Sequence, residues 1–111
     1  MSRQLTRVRV ASIDNLPSGE VTAVTVGKHD LALFRVESDV YATDNYCTHG
    51  AARLCDGYLE GFSIECPLHQ GVFDVRNGAA IRAPAEVPLT TYPVEVDNGD
   101  VYVVLDEPRD D

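Results

Sequence analysis

Basic residues are scarce in this chain: 9 Lys and Arg stand against 18 Asp and Glu, giving a net charge of −9. That balance disfavours nucleic acid and anionic lipid as partners. It favours a partner protein with a basic surface, although acids on a surface also serve solubility. Cysteine is scarce and odd in number, three in all, which argues against a disulfide framework. Long apolar runs are missing. The longest, Val101-Tyr102-Val103-Val104-Leu105, has the length of a strand and is far too short for a bilayer. Residues 1–7 show no apolar run behind them and no small-residue cleavage site, so no signal peptide is expected. The chain is therefore expected to be soluble and cytoplasmic. No Gly-rich phosphate loop and no Ser-His-Asp arrangement occurs. Repeats, low-complexity blocks and helical periodicity are also absent or weak.

What is present is a globular composition and frequent strand patterning. Hydrophobic residues make up 44% of 111 residues, enough for one domain with one modest core. Strands are expected over 7–11, 21–26, 31–36 and 40–43, then over short segments at 58–59 and 62–65. In 31–36, Ala32, Phe34 and Val36 share one face, and Leu31, Leu33 and Arg35 share the other. Further strands are expected over 72–76, 79–82, 92–97 and 100–105. The pairs Asn77-Gly78 and Asn98-Gly99 are tight hairpin signals. Pro84 and Pro88 stiffen an extended connection, and 106–111 is expected to fray. The fold class is all-β, with nine or ten short antiparallel strands. His29 falls in an expected hairpin turn and reads as solvated. The five tyrosines read as core or rim packing.

Two motifs stand out, Cys47-Thr48-His49-Gly50 and Cys66-Pro67-Leu68-His69. Each offers one thiolate and one imidazole in a single tight loop. Zinc fingers and ribbons usually open with paired cysteines. Mixed pairs suit a site with two metal centres, one taking both sulfurs and the other both nitrogens. A [2Fe–2S] cluster with two His in place of two Cys on one iron has that donor set. Gly50, Gly71 and Pro67 favour tight, stiff loops around such a site. Cys55 is left over and reads as a small half-buried filler. With only three histidines, a second iron site of the two-His-one-carboxylate type is out of reach.

The run from Cys47 to Leu54, Asp56-Gly57-Tyr58, Cys66 to Gly71, and Phe73-Asp74 resembles Rieske proteins. More narrowly, it resembles the small ferredoxins that serve bacterial aromatic-ring dioxygenases of the naphthalene type. The resemblance covers about residues 21–105. It implies a multi-sheet β fold of one domain, 1–111, with an inserted cluster-binding subdomain at about 44–83. It implies one [2Fe–2S] cluster, with Cys47 and Cys66 on the inner iron and His49 and His69 on the outer, more exposed one. It also implies a single-electron carrier with no catalytic site of its own. The partners would be an NAD(P)H-dependent flavoprotein reductase and a terminal oxygenase, and a monomer is expected.

Three other readings compete. A respiratory Rieske subunit would carry a membrane anchor, and two extra loop cysteines where Ala51 and Leu68 stand. The small subunit of an assimilatory nitrite reductase shares the fold but often lacks the ligands. A zinc or iron-sensing module would differ in colour. High-potential Rieske proteins place a Ser two residues and a Tyr four residues after the second ligand His. Those positions here are Gly71 and Phe73, so a low potential is expected.

Overall fold

The computed structural model describes residues 3–47, 52–67, 70–83 and 85–108. The described strands are β1 (Arg3–Ser12), β2 (Val21–Val26), β3 (His29–Val36), β4 (Asp39–Asp44), β5 (Tyr58–Glu60) and β6 (Ser63–Glu65). They continue as β7 (Val72–Asp74), β8 (Ala80–Arg82), β9 (Thr91–Tyr92), β10 (Val94–Asp97) and β11 (Asp100–Pro108). Two 3₁₀ turns, Ile13–Asn15 and Leu54–Asp56, complete the elements. The strands form three antiparallel sheets, ordered β1-β11-β10, β2-β3-β4-β9 and β5-β6-β7-β8. Among the described residues no helix is long and apolar enough to cross a membrane.

Strand β3 explains how the sheets meet. Its run Leu31-Ala32-Leu33-Phe34 is buried on both faces. Leu31 and Leu33 join Val101, Val103 and Leu105 in a basal core. Ala32 and Phe34 join Cys47, Leu54, Ile64, Cys66 and Phe73 in a second core. The alternation expected from the sequence thus lays one strand between two cores. Burying each large apolar side chain contributes about 1.5–3 kcal/mol. Arg35, on the basal side, donates from Nη1 to the carbonyls of Ile13 and Leu16 at 3.0 and 2.8 Å. It thereby ties the segment between β1 and β2 to the middle sheet.

Several expected boundaries move, each for a physical reason. Strand β1 is longer than 7–11 because it pairs with β11 from Arg3–Pro108 to Ser12–Asp100. Residues up to 108 are therefore strand and not a frayed tail. The expected strand 92–97 is split at Pro93, which has no N–H to donate. Before it, β9 pairs with β4; after it, β10 pairs with β11. The expected strand 72–76 stops at Asp74. There the chain turns, with the Gly78 N–H closing on the Asp74 carbonyl at 2.7 Å, while the Val75 N–H still donates in register to the Phe62 carbonyl at 2.9 Å and Val75 enters the second core. Its hairpin to β8 is longer than a two-residue turn, with Ala79 N–H donating to Asn77 Oδ1 at 2.9 Å. His29 is not a turn residue. It opens β3, half-buried, with its ring edge-on to Tyr92 at 6.0 Å between centroids.

Candidate metal centre

Each Cys-His motif grows from the end of a strand, and each loop is closed in the same way. After β4 the chain passes through Asn45 and Tyr46 to Cys47. The N–H of Cys47 donates to the carbonyl of Ala52 at 2.9 Å, and Tyr46 bridges to Arg53. After β6 the N–H of Cys66 donates to the carbonyl of Gly71 at 2.8 Å, while Glu65 pairs with Val72. Both cysteines therefore head a six-residue loop shut by their own backbone N–H. Both are buried in the same core, and neither is in a disulfide. His49 and His69 lie outside the described residues, as do Thr48, Gly50, Ala51, Leu68 and Pro84. By sequence each His falls inside one of the two closed loops.

This arrangement fits an iron–sulfur cluster. Two sulfurs enter one apolar core from two separate closed loops. A buried thiolate is costly unless it is paired or coordinates metal. Hydrophobic surroundings also tune the potential and limit solvent access. Among the described residues no group of three or more His, Cys, Asp or Glu is assembled to hold another metal ion.

The first loop rests on a polar network. Asn45 is fully buried. Its N–H donates to the Asp30 carbonyl at 2.9 Å, and its carbonyl accepts from Leu54 N–H at 2.6 Å. Its Nδ2 donates to Asp30 Oδ1 at 3.1 Å, and its Oδ1 accepts from Cys55 N–H at 2.9 Å. Arg53 donates from Nε and Nη2 to the Asp30 carboxylate, at 3.2 and 3.0 Å to Oδ2. Burial pushes the Asp30 carboxyl up, but hydrogen bonds from Arg53, Asn45 and Tyr46 outweigh it and hold the group below its ordinary value. Nearby, Tyr92 donates its hydroxyl to Asp44 Oδ1. Burial first, and then Asp44, raise the Tyr92 hydroxyl well above its usual value.

The second loop is held from its sides. Gly57 sits against the carbonyl of Glu65, where an added Cβ would meet that oxygen at 2.2 Å. Only a residue without a side chain lets the 3₁₀ turn pack so near Cys66. Gln70 adopts a φ of +62°, an uncommon conformation for a non-glycine residue. Arg82 reaches across from β8 to Glu65 and to the Gln70 carbonyl, each at 3.2 Å. Phe73, fully buried, lies in the core with the two sulfurs.

Asp30, Asn45 and Arg82 lie outside the motifs, and Arg53 and Gly57 stand in the sequence only as part of the runs that carry the resemblance. The first three are residue types ordinary in loops, and only the pairing of β3 with β4 and of β7 with β8 brings them to the motifs. Cys55 is half-buried as expected, yet it also contacts Asn45 through its N–H and its sulfur. Two of the five tyrosines are not packed: Tyr46 and Tyr58 are 53% and 69% exposed.

Comparison with known proteins agrees with this geometry. The family model described as the Rieske [2Fe-2S] domain matches residues 6–93. A ferredoxin component of the naphthalene 1,2-dioxygenase system of Pseudomonas putida is 50% identical over 88% of this chain and 94% of its own. The ferredoxin of carbazole 1,9a-dioxygenase from Nocardioides aromaticivorans IC177 superposes with a TM-score of 0.86 and 41% identity. That match covers 88% of this chain and 96% of the other. A ferredoxin solved in complex with the reduced oxygenase of carbazole 1,9a-dioxygenase superposes with a TM-score of 0.83 and 42% identity, over 87% and 91%. Two buried cysteines heading matched loops, on this sheet arrangement, define a Rieske iron–sulfur domain, and the chain belongs to the Rieske [2Fe-2S] family. Within that family it is a ferredoxin component of an aromatic-ring dioxygenase system. It carries one Rieske [2Fe–2S] cluster and serves as an electron carrier, not an enzyme in its own right.

Proposed function

We propose that Cys47, His49, Cys66 and His69 are the four cluster ligands, carried by a subdomain of about residues 44–83 within a single domain, 1–111. The chain would take single electrons from an NAD(P)H-dependent flavoprotein reductase. It would pass them to the terminal oxygenase of an aromatic-ring-hydroxylating system, as a monomer in the cytoplasm. The observation that carries this reading is the matched pair of closed loops, Cys47 to Ala52 and Cys66 to Gly71. Each loop has a buried sulfur at its head and a histidine within it.

When bound, the cluster supplies reversible one-electron chemistry. The residues of this chain do the rest. Cys47 and Cys66, which share a core with Phe34, Ile64 and Phe73, would supply the cluster's two thiolates. The apolar wall limits water, so few solvent dipoles must reorient when the charge changes. His49 and His69 would supply neutral donors in place of two thiolates, which favours the added electron relative to four thiolates. The two histidines would be the gate for both partners, so reductase and oxygenase would bind in turn.

Aerobic purification followed by an absorption spectrum and an iron and acid-labile sulfide assay tests the ligand set. Two irons and two sulfides per chain are expected, and replacing any one of the four ligands with Ala abolishes the colour. Reduction by a flavoprotein reductase with NADH or NADPH tests the carrier role. A colourless protein loaded with zinc would overturn the reading.

A further inference from the structure

We propose that Arg82 is a positioning residue for the second ligand loop, an inference that rests on the assignment of Cys66 and His69 as ligands. Arg82 ends the edge strand β8, and its side chain is 58% exposed. Its Nη2 donates to Glu65 Oε1 and to the carbonyl of Gln70. Glu65 immediately precedes Cys66, and Gln70 immediately follows His69. One guanidinium thus grips both flanks of the Cys-x-x-His segment from outside. Inside, the Cys66 N–H to Gly71 carbonyl bond closes the same loop.

The grip matters because of Gln70. Its φ of +62° is a conformation that L-residues adopt only when their surroundings hold it. Arg82 takes hold of the carbonyl of that residue. Releasing it frees the turn to relax toward a more common backbone, and the residue before it in the chain is His69. An exposed ion pair adds little to global stability, so the contact to Glu65 does not by itself account for the arrangement. Both bonds come from one nitrogen, Nη2, at the far end of the guanidinium; the Lys ammonium reaches less far from its backbone, so Lys is a poorer substitute. The positive charge beside the loop also favours the reduced state, which gains one electron from the reductase without any bond being formed or broken.

The test uses the cluster-loaded protein and three readouts: iron loss to a chelator, the EPR line shape of the reduced cluster, and the midpoint potential. Arg82→Gln is expected to lose iron about threefold faster, the scale of one net hydrogen bond. Its EPR lines broaden and its potential falls. Arg82→Lys keeps the charge and restores the potential, but leaves the lines broadened. Glu65→Gln spares the grip on Gln70 and keeps iron at about the wild-type rate. Arg76→Gln, which breaks a comparable pair with Asp74 at 2.7 Å, leaves the line shape unchanged. Wild-type iron loss and line shape in Arg82→Gln would overturn the proposal, as would equal broadening in Arg76→Gln. Should Arg82→Gln not accumulate, Arg82→Lys carries the test, and wild-type line shape in it overturns the proposal. A wild-type protein without a Rieske EPR signal would instead refute the ligand assignment itself.

Discussion

Asn45 holds Cys55 by two atoms of the same side-chain amide. Its Oδ1 accepts from the Cys55 N–H at 2.9 Å, and its Nδ2 lies 3.3 Å from the Cys55 sulfur. The same Nδ2 also reaches Asp30. A buried amide therefore joins the start of β3, the end of β4 and the 3₁₀ turn that follows the first ligand loop. Asn45→Ala leaves the Cys55 N–H and one bond to Asp30 unmade inside the fold. Each lost buried partner costs about 1–3 kcal/mol, so a loss of about 2–6 kcal/mol is expected in urea unfolding, with weaker cluster retention. Cys55→Ser keeps an acceptor for Nδ2 and should change stability by less than about 1 kcal/mol, with the colour intact.

Gly57 should tolerate no side chain. A Cβ there meets the Glu65 carbonyl oxygen at 2.2 Å, and the obstacle is backbone. The neighbouring strand must move, and overpacking of this kind costs about 1–3 kcal/mol. Because Glu65 precedes Cys66, Gly57→Ala should lower both the melting temperature and the iron content per chain. Normal iron content in a folded Gly57→Ala protein would show that the close approach does not support the second loop.

Asp74 provides a test by pH. The hydrogen bond from the Arg76 side chain comes first among the causes holding its carboxyl below the ordinary value of 3.8, against a contrary push from burial. A depressed folded value means stability that is complete above the unfolded value and is lost as pH falls through the folded one. The loss therefore lies below about pH 4. Carboxyl NMR should show Asp74 titrating below 3.8, and rising toward it in Arg76→Gln. An unchanged Asp74 titration in that variant would contradict the assignment.

Salt dependence should be weaker than the total charge suggests. Residues 44–83 hold five acids and three bases, a net of −2, whereas 84–111 hold eight acids and one base, a net of −7. Beside the ligand loops, Asp30, Glu65 and Asp74 are paired with Arg53, Arg82 and Arg76. The surplus charge is carried mostly by the sequence of β10, β11 and the residues beyond. The side-chain core of that sheet is the basal one. Electron delivery to the oxygenase should thus change by less than about threefold between low and physiological salt, where screening sets in within about 10 Å. A drop of tenfold or more would place an acidic face at the docking edge.

The parts of this molecule legible in the sequence are those in which residue type alone carries the signal. The pattern of 31–36 marks a strand and assigns its residues to two faces, and the Cys-His pairs mark the loops. What escaped depends on pairing across the chain. Pro93 ends one strand and lets the chain change sheets, but a proline also fits an ordinary edge. Asn45 is polar and precedes a loop, which is usually an exposed place, yet it is fully buried because Asp30 and Cys55 come to it from elsewhere. The strand expected over 72–76 ends at Asp74 because the turn closed by the Gly78 N–H on the Asp74 carbonyl begins there, although Val75 keeps its bond to Phe62.

Phe73 connects the fold to the redox chemistry. It is fully buried in the core that holds both sulfurs, at the position where high-potential relatives in the resemblance carry a Tyr. A phenyl ring cannot donate a hydrogen bond to a cluster sulfur, and Gly71 offers no hydroxyl either. Donors to the sulfurs stabilise the electron-rich reduced state, so their absence lowers the potential. Phe73→Tyr should raise the potential where its hydroxyl reaches a sulfur. Where it does not, an unpaired buried hydroxyl costs about 1–3 kcal/mol and stability falls. A variant with unchanged potential and unchanged stability would contradict both arms.

The midpoint potential of the wild-type protein, measured by film voltammetry on the cluster-loaded chain, tests the account most directly. A value on the order of −150 mV, the low end for Rieske centres, is predicted for a carrier that passes single electrons to an oxygenase. A value well above zero would contradict it.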